Sequence, residues 1–166
     1  MHITSASQRR VQTRRASIRV ALAAALCLPA LTLAPTAAQA RPSAATVASY
    51  ETRVVAAVNV ERVRHARRAV SSWSCLDRYA EPWSAYLART DQMVHRSMMV
   101  VLRGCSATRV AENLARANVG PERVVALWMA SPGHRANLLD GRLTNVAVAA
   151  TYARGQWTVV LNMGRP

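Results

Sequence analysis

The end of the chain constrains the fold most. Two apolar runs, Leu143 to Tyr152 and Trp157 to Met163, flank Ala153-Arg154-Gly155-Gln156, the pattern of an antiparallel hairpin. Before them the period is helical. Val47, Tyr50, Val54, Val55, Val58 and Val63 recur at spacings of three and four, which predicts one long helix from Ala44 to about Ala69. Leu76, Tyr79, Ala80, Trp83, Leu87 and Thr90 share a second helical face within residues 76–93. Pro82 either delays that helix to about Glu81 or kinks its first turn. Residues 94–108 read as a loop with one helical turn around Met98 to Leu102, and Val110 to Ala115 is short and mixed. Pro121 opens a further helix with Glu122 at its positive end. Helices first and strands last indicate an α+β fold.

The first forty residues differ from the rest. They hold no acid, and Arg9, Arg10, Arg14, Arg15 and Arg19 precede an apolar run from Val20 to Ala34. Ala38-Gln39-Ala40 then supplies the small-x-small cleavage pattern. Residues 1–40 therefore read as a signal peptide, 41–44 as a short leader and 45–166 as one domain. The apolar run is too short for a retained span, which needs about 20 residues. Thr13-Arg14-Arg15 hints at twin-arginine export, with the Sec route as the default.

Charge narrows the partners. The whole chain carries a formal +14. After processing, 17 arginines stand against 8 acids, a formal +9, with no lysine. GC-rich coding accounts for such arginine usage as well as selection does. A basic exported domain is drawn toward anionic wall polymers or lipid headgroups, whereas no motif interleaving arginine with aromatics points to nucleic acid. Of three cysteines, Cys27 leaves with the signal. Cys75 and Cys105 remain, either as a disulfide, the usual state of an exported even pair, or with one of them as a nucleophile.

Ser131-Pro132-Gly133-His134 marks a helix start: Ser131 as N-cap, Pro132 first, His134 third. Free backbone N–H groups and the helix dipole disfavour imidazolium there, so His134 is expected to be neutral. Asp140-Gly141 is expected to end the helix with glycine in the left-handed cap. Two imidazoles and a carboxylate from His95, Glu112 and His134 could hold zinc with one position open. The structural alternatives are plain: His95 a loop residue, Glu112 an arginine partner, His134 a tie between helix and sheet, and His65 a solvated helix end. No H-E-x-x-H, G-x-S-x-G or phosphate-cradling loop occurs.

The ordered series Asn59...Arg62, Val94-His95-Arg96-Ser97, Ala111-Glu112-Asn113-Leu114-Ala115 and Trp128-Met129-Ala130-Ser131-Pro132-Gly133-His134-Arg135-Ala136-Asn137-Leu138-Leu139 resembles the CAP superfamily. This is the SCP domain of cysteine-rich secretory, antigen 5 and pathogenesis-related 1 proteins, here in its short bacterial form. The resemblance spans most of residues 45–164, and Ser131 to Leu139 is its most specific block. It implies an α-β-α sandwich, a small antiparallel sheet between helical layers, with an open cavity lined by His95, Glu112 and His134. The placement of Cys75 and Cys105 resembles a bacterial subgroup. Members are secreted, are associated with divalent cations and with sterol or other lipids, and mostly lack an established reaction. Departures are visible. No acid lies between Trp128 and His134 where larger members place a second glutamate; Ala111, Ala147 and Ala149 stand for glycines; Leu161 and Met163 replace a glutamine and an aromatic.

Three functional readings follow. The leading one is a secreted, non-enzymatic, monomeric module with no catalytic residue, binding a lipid, headgroup, cation or envelope polymer through the cavity trio. It requires no cofactor, although His95 and His134 could hold a divalent cation such as zinc. The second is a metal-assisted hydrolase with Glu112 as general base. In the third, a basic wall- or anionic-lipid-binding surface does the work and the trio is structural.

Overall fold

The computed structural model describes residues 41–166; the expected signal peptide lies outside the described residues. Helix α1 (Ala44–Arg64) is followed by strand β1 (Ser71–Ser72), α2 (Ser74–Thr90), α3 (Met98–Gly104), β2 (Arg109–Ala117), α4 (Pro121–Ala130), α5 (Pro132–Leu139), β3 (Asn145–Ala153) and β4 (Gln156–Arg165). The sheet order is β1-β3-β4-β2, antiparallel except for the two-residue parallel edge made by β1. Among the described residues, no helix is long and apolar enough to cross a membrane.

The hairpin closes at Arg154 and Gly155, both with positive φ (50° and 76°). A two-residue turn of that hand matches the right-handed twist of its strands. Alternation along the hairpin then builds both sides of an α-β-α sandwich. Val146, Val148, Ala150, Trp157, Val159, Leu161 and Met163 pack with Val54, Val58, Val124, Trp128 and Leu138, so α1, α4 and α5 form one layer. On the other face Ala149, Val160 and Leu114 meet Ala80 and Leu87 of α2. Ala147 meets Leu76, Val101 and the cysteines. The expected α+β sandwich is the observed one.

Local expectations needed correction in five places. Helix α1 stops at Arg64 rather than near Ala69. His65 caps it, Ala66 takes a positive φ of 53°, and the Arg67 N–H returns to the Arg62 carbonyl. Helix α2 does not wait until Glu81: it begins at Ser74 and passes through Pro82. Pro82 is exposed, so the carbonyl it leaves unpaired faces water. The segment around Val110 is a full strand, β2. Gly141 is not left-handed, and α5 ends on Asp140 in extended backbone. The helical turn near Met98 extends to Gly104.

Arg62 holds these layers at one corner. Its side chain is fully buried, and its guanidinium donates to the carbonyls of Arg68, Leu138, Asp140 and Leu143 at 2.7–3.2 Å. Burial lowers its pKa, partly opposed by Asp140. The charge is therefore balanced by four carbonyl dipoles drawn from the end of α1, the end of α5 and the approach to β3. Asn59 does similar work nearby, donating to the Val70 carbonyl at 3.0 Å and accepting from its N–H at 2.8 Å.

Candidate functional site

The site forms at the β2 edge of the sheet, where both helical layers end. Glu112 points to the α2 side, and its side chain is almost wholly buried. His95, in the loop between α2 and α3, lies over it with Nδ1 2.7 Å from Glu112 Oε1. The imidazole is 58% exposed, so the pair is a half-open histidine on a closed carboxyl. Burial pushes the Glu112 pKa upward; the hydrogen bond and charge of His95 partly oppose this, as does the Arg96 backbone N–H, which points toward the carboxyl. Arg96 itself is fixed by donating to the Tyr79 carbonyl at 2.7 Å, with its guanidinium near the Tyr79 and Trp83 rings.

His134 comes from the other layer. It occupies the first turn of α5 after Ser131 and Pro132, as expected, although the Ser131 hydroxyl makes no capping hydrogen bond. An amide ladder fixes its distance from Glu112. Asn113 Nδ2 donates to the His134 carbonyl at 3.0 Å, and Asn137 Nδ2 donates to Asn113 Oδ1 at 2.9 Å and to the Glu112 carbonyl at 3.2 Å. The His134 pKa is lowered, first by partial burial and then by the like charge of His95. That shift is in the direction expected of a neutral histidine, with burial and a neighbouring imidazole as its causes.

The three residues thus approach one edge without forming a closed set. His95 and Glu112 are in contact, while His134 is coupled to His95 only through space. Among the described residues, no three His, Cys, Asp or Glu side chains converge closely enough to hold a metal ion. A cation there would have to complete its shell from outside the protein. Open clefts lie elsewhere: one of about 380 Å³ between α1, α2 and the β3 edge, which includes Glu51 and Asp77, and one of about 670 Å³ beside the hairpin turn, rimmed by Arg41, Arg89 and Arg154.

Other assigned residues fall as follows. Cys75 and Cys105 form a disulfide, with Cα atoms 5.7 Å apart, excluding a free nucleophile. It joins the start of α2 to the end of α3. Glu122, at the start of α4, makes a bidentate exposed pair with Arg53. His65 caps α1, and Arg135 of α5 approaches its Nε2 at 3.3 Å. Residues that sequence reasoning missed are Asn113 and Asn137. The available signal was an amide in each case: beside Glu112, or in the helix of His134.

The fold has counterparts among known proteins. A model of the cysteine-rich secretory protein family, CAP, matches residues 55–163. The uncharacterized protein YkwD of Bacillus subtilis is 29% identical over 119 residues, covering 68% of this chain and 46% of that protein. The chain thus spans less than half the length of that curated relative. Among solved structures, an extracellular protein containing an SCP domain from Bacillus anthracis aligns with a TM-score of 0.66 at 20% identity, over 76% of this chain and 45% of its own. An outer surface protein from Borrelia burgdorferi gives 0.63 at 16%, over 69% and 90%. A cysteine-rich secretory protein from Staphylococcus aureus gives 0.64 at 16%, over 75% and 41%. At these identities the structures show a common fold.

Proposed function

Because the chain belongs to the CAP family of cysteine-rich secretory proteins, we propose that it is an extracellular, non-enzymatic module that binds a cell-envelope ligand at the His95–Glu112–His134 edge. One observation carries this reading: a buried, protonation-sensitive carboxyl lies under a half-exposed imidazole at 2.7 Å. The exposed ring offers a ligand one polar contact, and the carboxyl behind it fixes the ring's orientation and tautomer. The extracellular and outer-surface descriptions of structurally similar proteins support the location. A divalent cation such as zinc, where present, would take His95 and His134 as its protein ligands.

The test uses dialysed protein against purified wall polymer and against phosphatidylglycerol vesicles, with and without zinc. His95→Ala with His134→Ala is expected to weaken binding at least tenfold to one of these probes. Unchanged binding by the double variant overturns the reading. If that retained binding collapses with salt, the arginine surface is the working part instead. Chelator-sensitive hydrolysis of peptide or ester substrates would support the hydrolase alternative.

A further inference from the structure

Five of the eight acids in the chain have an arginine or histidine partner: Glu61, Asp91, Glu112, Glu122 and Asp140. Glu51, Asp77 and Glu81 have none among the described residues, although 17 arginines stand in residues 41–166. The three lie together. After burial, Glu81 and Asp77 help to raise the Glu51 pKa, and Asp77 helps to raise that of Glu81. Like charges held side by side with no cation between them leave a repulsion that a cationic partner would relieve.

These acids flank an open sheet edge. Strand β1 pairs with β3 only at Asn145 and Val146. Trp73 adds one bond, from its N–H to the Val146 carbonyl at 3.1 Å, before the chain turns into α2. Along an antiparallel pair, alternate residues bond to the partner strand and those between face the other way. The bonds made to the Val146 carbonyl and by the Ala150 N–H show that the even-numbered residues of β3 face away from β4. Val148 therefore aims its N–H and carbonyl into the cleft of about 380 Å³ that it lines with Glu51 and Thr52 of α1 and Asp77 of α2. The Ala150 carbonyl continues the same edge, while the Ala150 N–H is already met by Glu51 Oε1 at 2.8 Å. This edge lies across the sheet from β2 and the His95–Glu112 pair and is independent of what that pair binds.

We propose that the β3 edge docks an extended polypeptide segment bearing arginine or lysine, which adds a strand beside Val148 and sets its cations against Glu51, Asp77 and Glu81. Strand addition supplies main-chain hydrogen bonds, and side-chain sites along the edge supply selectivity. Side chains of the added strand alternate between its two faces. Adjacent basic residues then reach Glu51 in the α1 layer and Asp77 and Glu81 in the α2 layer. Among the described residues, no three acidic, imidazole or thiol groups converge on a metal ion, so these acids suit charge spread along a chain better than a single cation. Charge at a sheet edge also deters pairing with other chains. Here it discourages neutral and acidic strands and admits a basic one.

The experiment is a nitrogen-15 NMR titration of the protein above the Glu51 pKa of about 7, following the backbone amides of Val148 and Ala150. The probes are a capped hexapeptide, Val-Arg-Arg-Val-Arg-Val, its counterpart with glutamine for arginine, and arginine amide alone. The arginine hexapeptide is expected to shift both amides saturably and to bind at least tenfold more tightly than the glutamine one. Glu51→Gln, which keeps an oxygen for the Ala150 N–H, and Asp77→Asn with Glu81→Gln should each weaken that binding at least threefold. If either variant fails to fold, the wild-type titrations decide. Unmoved Val148 and Ala150 amides overturn the proposal and leave Glu51 as a guard of the edge. Equal binding of the glutamine hexapeptide, the same shifts from arginine amide alone, or undiminished binding by the folded variants overturns it as well.

Discussion

The guanidinium of Arg62 donates to the carbonyl of Leu138 at 2.7 Å inside the core, tying the end of the first long helix to the helix that carries His134. Replacing Arg62 with methionine removes the charge but strands four carbonyls. An unmatched buried polar group costs about 1–3 kcal/mol, and partial relaxation will recover some of the total. Arg62→Met is expected to lower stability by about 3 kcal/mol, read from urea unfolding, and to broaden the His134 ring resonances. A loss below about 1 kcal/mol, the low end of that range, would show that the corner is held by other contacts.

The Cys75–Cys105 disulfide spans 30 residues of sequence and ties α2 to the end of α3, the segment between which presents His95. On the chain-entropy model, closing such a loop is worth about 3.5 kcal/mol. Thermal unfolding with and without reductant should differ by that order. The reduced protein should also lose the His95 contribution to binding before it loses its helices.

Glu51 gives a pH signature away from the candidate site. Burial raises its pKa to about 7, reinforced by Glu81 and Asp77 and opposed by the N–H of Ala150, which donates to it at 2.8 Å. A carboxyl with a raised folded pKa holds its proton more tightly in the native state, so its effect on stability is unfavourable once ionised. Stability should fall as pH rises from about 4.5 to about 7. Glu51→Gln should flatten that part of the profile relative to wild type. An unchanged slope would place Glu51 in the ordinary carboxylate range.

His95 acts on both of its titrating neighbours. Its hydrogen bond and charge lower the Glu112 pKa against burial, and its charge lowers that of His134. His95→Ala should therefore raise both, as followed by carbon-13 titration of the Glu112 carboxyl and proton titration of the His134 ring. Movement of Glu112 alone would mean that the two imidazoles are not electrostatic neighbours.

The parts of the fold legible in the sequence were those with strong local signals. The hairpin had alternating apolar residues around Arg154-Gly155, and α5 had Ser131-Pro132 at its head. Strand β2 was not legible, because Arg-Val-Ala-Glu-Asn-Leu-Ala-Arg-Ala contains many residues that favour helix; pairing with β4 along its whole length overrides that preference. The buried role of Arg62 was not legible, since nothing local marks an arginine three of whose carbonyl partners lie more than seventy positions away. At the site, family resemblance brought His95, Glu112 and His134 to attention. Their unequal roles depend on burial and on the amide ladder through Asn113 and Asn137, which no spacing encodes.

The two imidazoles of the edge hang from opposite faces of the sheet, His95 from the α2 side and His134 from the α5 side. A molecule gripping both would act as a clasp across the sandwich. Occupancy would then register as slower separation of the layers, visible in hydrogen exchange of amides far from the point of contact.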